Sequence, residues 1–130
     1  MNTPASYCYA INPDVIDTIY EQLLHKMVVE KRYRDPHYNA QAFAKEVGVN
    51  ARYVSAAVAL RFHQNFAQYI NGYRIRQAKL MLEDRRYDKI GVLKIAEQCG
   101  FATRQTFYNA FNAHEGMTPY QYRKQYRPEA

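Results

Sequence analysis

Arg104, Gln105, Tyr108 and Asn109 bring hydrogen-bonding side chains together on one short stretch of this chain. Phe107 and Phe111, four apart, mark the core side of a helix there, which turns those four residues to its outer side or flanks. A guanidinium fork fits guanine O6/N7 and a carboxamide fits adenine N6/N7, so the chemistry on offer is recognition of base edges in a major groove. An earlier stretch has the same form with less polarity. There Val54 and Val58 mark the core side, and by the same geometry Arg52, Ser55 and Ala56 form the outer face. Ala56 can at most touch a thymine methyl. Asn50 and Thr103 start the two helices, where backbone N–H groups and a polar side chain suit a phosphate. Capping is their competing role, and the two are compatible. Arg61, Arg123 and Lys124 are further candidates for phosphate contact.

Catalytic or metal chemistry has no such pattern behind it. His25, His37, His63 and His114 are scattered, with no partner His or Cys at ligand spacing. There is no Walker-type or dinucleotide glycine motif. Cys8 lies in an unpatterned tail without a basic neighbour, and Cys99 sits at an apolar position just before Gly100, where a small buried side chain is expected. The expectation is therefore no catalytic residue, no cofactor and no metal. Two cysteines so placed form no disulfide framework and fit a reducing compartment. No apolar run is long enough to span a membrane and no charged-then-apolar leader opens the chain, so the expected location is the cytoplasm, with no membrane partner.

Charge is distributed unevenly. Residues 1–36 hold four Lys and Arg against five Asp and Glu, a balance of −1, whereas residues 37–130 hold fourteen against seven, a balance of +7. The basic excess thus lies wholly on the part that carries the candidate base readers, as a nucleic-acid footprint requires. A merely soluble basic surface is the plainer alternative.

The elements that must position these residues form a repeat about a central helix. FAQYINGYRIRQAKLMLED, residues 66–84, places Phe66, Tyr69, Ile70, Tyr73, Leu80 and Leu82 close to a 3.6-residue period, after a cap at Asn65. On one side of it stands FAKEVGVNARYVSAAV, and on the other IAEQCGFATRQTFYNAF. Each copy has an apolar residue followed by Ala, a turn Gly (Gly48, Gly100), an apolar plug (Val49, Phe101), a cap (Asn50, Thr103) and an apolar pair four apart. A helix, a Gly turn and a capped second helix make a helix-turn-helix. The reading is all-α, with two helix-turn-helix lobes joined by a long linker helix and about seven helices in total. Residues 1–12 form a frayed tail. Residues 13–36 form a supporting helix, apolar at Val15, Ile16, Ile19, Leu23, Met27 and Val28, which ends by about Glu30 before Pro36. Residues 39–65 form the first lobe, burying Val54, Val58 and Phe62; 66–84 the linker; and 90–127 the second lobe. Tyr20 and Leu24, taken as facing outward, widen the apolar stripe of the first helix and make it a candidate dimerisation surface.

With both copies and the linker in place, the sequence resembles the DNA-binding domain of AraC/XylS-type bacterial transcription regulators. The most specific stretch is IAEQCGFATRQTFYNAFNAHEGMTPYQYR, Ile95 to Arg123, which is similar to that family's second helix-turn-helix nearly throughout. Tyr69 to Ile75, with Ala78 and Leu82, is similar to its linker helix, and the resemblance covers roughly residues 39–127. It supports the outer face assigned to Arg52, Ser55 and Ala56. It also implies that Arg74 is structural and ties the linker to a lobe, with Glu97 as a candidate acidic partner. Two departures stand out. His63 occupies the place that Gly116 has in the second copy, so the first lobe must turn without glycine, and the first recognition helix carries few polar groups able to reach bases. Family members often carry a separate ligand-sensing domain, and nothing in these residues is large enough to be one.

The function implied is sequence-specific double-stranded DNA binding in transcription regulation, with two recognition helices reading adjacent major-groove segments. One monomer then suffices for a site, a dimer through the N-terminal helix is an added option, and RNA polymerase is a further partner. A helical protein-interaction adaptor on the same fold and the DNA-targeting part of a larger protein are the alternatives.

Overall fold

Residues 10–127 are described by the computed structural model, and within them seven α-helices and no strands form. The expected tail lies outside the described residues up to position 9, as does Cys8. The helices are α1 (Pro13–Leu24), α2 (Ala40–Val47), α3 (Ala51–Phe62), α4 (Phe66–Glu83), α5 (Val92–Cys99), α6 (Arg104–Glu115) and α7 (Pro119–Gln125). They fall into two compact units. One comprises the residues up to Arg32 together with Tyr38–Ile70, and the other comprises Tyr33–His37 together with the chain from Asn71 onward. The boundary between them therefore lies inside α4, and a five-residue link belongs to the second unit although its flanks belong to the first.

The caps follow local chemistry. Asn12 accepts from the Asp14 N–H ahead of Pro13, and Asn39 accepts from Ala42 N–H, each at 2.8 Å. Asn65 and Gln68 exchange hydrogen bonds at the start of α4, the Gln68 N–H reaching Asn65 Oδ1 at 2.8 Å and the Asn65 N–H reaching Gln68 Oε1 at 2.9 Å. Each such pair satisfies donors that an open helix end leaves orphaned.

In the first unit α1 packs on α3. Ile16, Ile19 and Leu23 are buried, and so is Met27, which lies beyond α1 in a π-turn over His25–Val29. The sequence suggested one uninterrupted α-helix to Glu30. Instead the Glu30 N–H bonds back to His25 O at 3.1 Å, five residues earlier, and Lys31 adopts φ +53° to leave the helix. Val28 is consequently not on the core face; it is 54% exposed beside Leu24 and Val29. Tyr20 is corrected in the opposite direction. Its hydroxyl donates to Ala57 O at 2.9 Å and its ring meets the Phe62 edge at 6.2 Å, so it joins α1 to α3 rather than widening an outer stripe. Phe62 itself is only partly covered, packed against Tyr69 at 4.8 Å. Phe43, Phe66 and Tyr38 complete an aromatic core, and Glu46 receives the Tyr38 hydroxyl at 2.5 Å and Arg32 at 2.7 Å.

The second unit is built on Ile75, Ala78, Met81 and Leu82 of α4, against Val92, Ile95, Ala96, Cys99, Phe101, Phe107, Phe111 and Tyr122. Leu80 was expected on this face and is 60% exposed, whereas Met81 is 5% exposed. The spacing explains it: 75, 78 and 82 repeat at three and seven, and position 81 lies on that stripe while position 80 is half a turn away. Asp84 no longer belongs to α4. It caps the turn Arg85–Tyr87 by accepting the Arg86 N–H at 2.9 Å.

Candidate nucleic-acid interface

α3 and α6, the two candidate recognition helices, each begin from a capped turn. In the second unit Gly100 ends α5 at φ +103°, where a side chain would be strained, and the buried Phe101 plugs the turn. Thr103 then forms a reciprocal box with Thr106, the Thr106 N–H reaching Thr103 Oγ1 at 3.1 Å and the Thr103 N–H reaching Thr106 Oγ1 at 3.3 Å. With Phe107 and Phe111 fully buried, Arg104, Gln105, Asn109 and also Thr106 and Asn112 are left exposed on α6. The exposed groups are already organised. Arg104 lies over the Tyr108 ring at 4.9 Å, and Gln105 Nε2 donates to Asn109 Oδ1 at 3.2 Å. A guanidinium and two linked carboxamides thus occupy two turns of one face. Tyr108 stands apart from them. It is half-buried, edge-on to Phe107, with its hydroxyl enclosed, and it serves as the platform beneath Arg104 rather than as an outer group.

The face of α3 differs. Asn50 caps it by accepting the Arg52 N–H at 2.8 Å, and Arg52 and Ser55 are exposed. Ala56, assigned to this outer face from the sequence, is 1% exposed and offers no surface. Val54, Ala56, Ala57 and Val58 are buried together on α3, which packs on both α1 and α2, so the buried side of this helix is wider than one four-residue stripe. Tyr53, absent from the sequence reading, is 41% exposed and takes its place beside Arg52. The signal for it in the sequence is its position one residue before the core Val54. The helix ends at His63, which adopts φ +54°, ψ +39°, the left-handed geometry that Gly116 supplies in the second unit.

The candidate phosphate neighbours divide. Asn50 and Thr103 use their side chains as caps, leaving other first-turn N–H groups outward. Arg61 is exposed, with its guanidinium 4.8 Å over the Tyr20 ring, and Lys124 is exposed. Arg123 is occupied. Its Nη2 donates to Tyr87 O at 2.6 Å, closing α7 onto the turn after α4, and its Nε is buried. Arg74 does not meet Glu97, which pairs with Lys94 at 3.5 Å. It is 7% exposed and donates to the carbonyls of Tyr33 and Asp35. Among the described residues no helix is long and apolar enough to cross a membrane.

Comparison with known proteins places this arrangement among relatives. A family model described as a helix-turn-helix domain matches residues 43–125. The melibiose operon regulatory protein of Escherichia coli (strain K12) is 36% identical over 81 residues, covering 62% of this chain and 26% of that protein. YtdP of Bacillus subtilis (strain 168), named as an uncharacterised HTH-type transcriptional regulator, is 27% identical over 121 residues, covering 90% of this chain and 13% of that protein. The chain thus spans only 13% to 26% of the length of these two relatives. Among solved structures, the C-terminal domain of AraT, a response regulator from Geobacillus stearothermophilus, shares the fold with a TM-score of 0.69 at 20% identity, covering 83% of this chain and 84% of that one.

Proposed function

The chain belongs to the AraC-type helix-turn-helix family, and from that premise we propose that it binds double-stranded DNA sequence-specifically as part of a transcription regulator. The observation that carries the proposal is the exposed face of α6. Arg104, Gln105 and Asn109 are held over a buried Phe107–Phe111 core, on a helix launched from a glycine turn. Those are the side-chain types that pair bidentately with guanine and adenine. α3 reads a second major-groove segment through Arg52, Ser55 and Tyr53, with Arg61 and Lys124 as phosphate neighbours. The names of the relatives, an operon regulator and an HTH-type regulator, support the same reading. One monomer serves one site. The exposed Leu24, Val28 and Val29 are where a dimer would form, and RNA polymerase is the further partner of a regulator.

Selection of bound sequences from a random duplex pool tests specificity, and a salt titration on the best sequence tests the footprint. Affinity should fall log-linearly with salt, with a slope of about −0.9 for each phosphate neutralised. A flat salt response, or no duplex binding at low salt, would sink the proposal in favour of a protein-interaction adaptor on this fold.

A further inference from the structure

The link between α1 and α2 holds part of the second unit in place. Tyr33–His37 belong to that unit, and Arg74 of α4 fastens them there. Arg74 Nε donates to Tyr33 O at 2.7 Å, Nη2 to Asp35 O at 2.9 Å and Nη1 to Asn71 Oδ1 at 3.0 Å. The planar fork fixes the directions of its donors, so it holds two carbonyls and a side-chain oxygen in one geometry, whereas the rotating donors of an ammonium group would not. The Tyr33 ring stacks on Tyr73 at 6.1 Å, and the link is shaped by its own turn, the His37 N–H reaching Asp35 Oδ1 at 2.9 Å. On its other side the link meets the turn that launches α6. A Cβ built on Gly100 would lie 2.1 Å from Tyr33 O and 3.0 Å from both Arg34 Cα and Arg74 Nε. Phe101, the plug of that turn, has the Arg74 guanidinium 5.9 Å from its ring. One guanidinium and one bare glycine therefore meet across the backbone of residues 33–35.

We propose that residues 33–37 are a strap that sets the orientation of α6, with Arg74 and Gly100 as positioning residues for base recognition. The strap lies on the hinge of the helix-turn-helix and outside its core. Phe107, Phe111, Ile95 and Leu82 pack on one another without it, so its release frees the turn while leaving the helices folded. The orientation of α6 is then set by a segment from another part of the chain, and whatever displaces that segment changes which bases Arg104, Gln105 and Asn109 reach. This rests on the reading of α6 as a base-reading helix.

The test uses the full chain with Arg74→Ala, and Asp35→Ala as a milder variant, because Asp35 is exposed and its loss only loosens the strap. Amide hydrogen exchange should speed up roughly tenfold in residues 33–37 and 100–106 of Arg74→Ala, with α2 and α3 unchanged. Asp35→Ala should show the same pattern at smaller amplitude. In pool selection, preference should relax at the positions read by α6 and persist at those read by α3. Faster strap amides with 100–106 unchanged would overturn the strap as a positioning device, as would uniform acceleration of all slow amides. If the unaltered chain binds no duplex, the DNA reading fails by itself and the exchange pattern still decides the strap.

Discussion

On the proposed reading, Arg104 and Gln105 carry most of the base recognition, because each is exposed and pre-placed by a neighbour on the same helix. Replacing either by Ala should cost about 1–3 kcal/mol on the best duplex site and relax preference at one or two positions, as read by competition binding against base-substituted duplexes. Ser55→Ala should be nearly silent in the same assay, since a lone hydroxyl pairs with several bases and discriminates little. Cys99 gives a different residue-scale expectation. Its Sγ lies 3.7 Å from Met81 Sδ in the core, and burial pushes its thiol up to about 12, from an ordinary 9.0. Tyr38 and Tyr122 are also raised, burial being the larger cause and the hydrogen bonds to Glu46 and Glu83 adding to it. All three are acids whose neutral form the fold favours. The unfolded chain therefore releases these protons first, and the stabilisation is complete below the ordinary values and is lost as pH rises beyond them. Denaturant midpoints should be insensitive to these groups up to about pH 9 and fall above it, and Cys99 should resist alkylation at neutral pH until the chain is unfolded.

Two positions, one inside a helix and one at a helix end, break local preference and invite correction. Gly72 lies within α4, yet a Cβ there would meet only His114 Cε1 at 3.9 Å, an ordinary contact. Close packing therefore does not require glycine, and Gly72→Ala should stabilise the chain by about 0.5–1 kcal/mol in urea melts. Should that variant also lose DNA affinity, glycine is there for flexibility of the helix during binding. His63 holds a left-handed conformation that costs a non-glycine residue about 1–2 kcal/mol. His63→Gly should recover most of that in thermal melts, because the residue is exposed and its geometry is what Gly116 adopts at the end of α6.

For the whole molecule, the proposal of two recognition helices makes the DNA spacing a measurable quantity. α4 runs unbroken for 18 residues, about 27 Å of helix. Major-groove faces on one side of B-DNA recur about every 34 Å, or ~10 bp. Inserting roughly half a helical turn of DNA between the two half-sites should lower affinity towards that of a single lobe. Unchanged affinity would mean that the lobes act as flexibly tethered binders. The motif from pool selection should be sharper in the half read by α6, because α3 offers only Arg52, Tyr53 and Ser55 where α6 offers a guanidinium and two carboxamides.

The helix order, the caps at Asn50, Asn65 and Thr103, the glycine turns and the outward set Arg104, Gln105 and Asn109 were all determined by sequence. Each depends on residues within about four positions, where side-chain type and period are sufficient. Neighbours distant in sequence decided the remainder. Tyr20 was drawn onto Ala57, 37 residues away, and Arg123 onto Tyr87, 36 residues away. Ala56 was taken out of the readable face, and Leu80 and Met81 exchanged roles about the core stripe. Arg74 is the plainest case. Its acceptors are main-chain carbonyls 41 and 39 residues earlier, and every residue in the chain carries such a carbonyl. No residue type marks Tyr33 and Asp35 as its partners; only the fold that brings their backbone beside Gly100 does so.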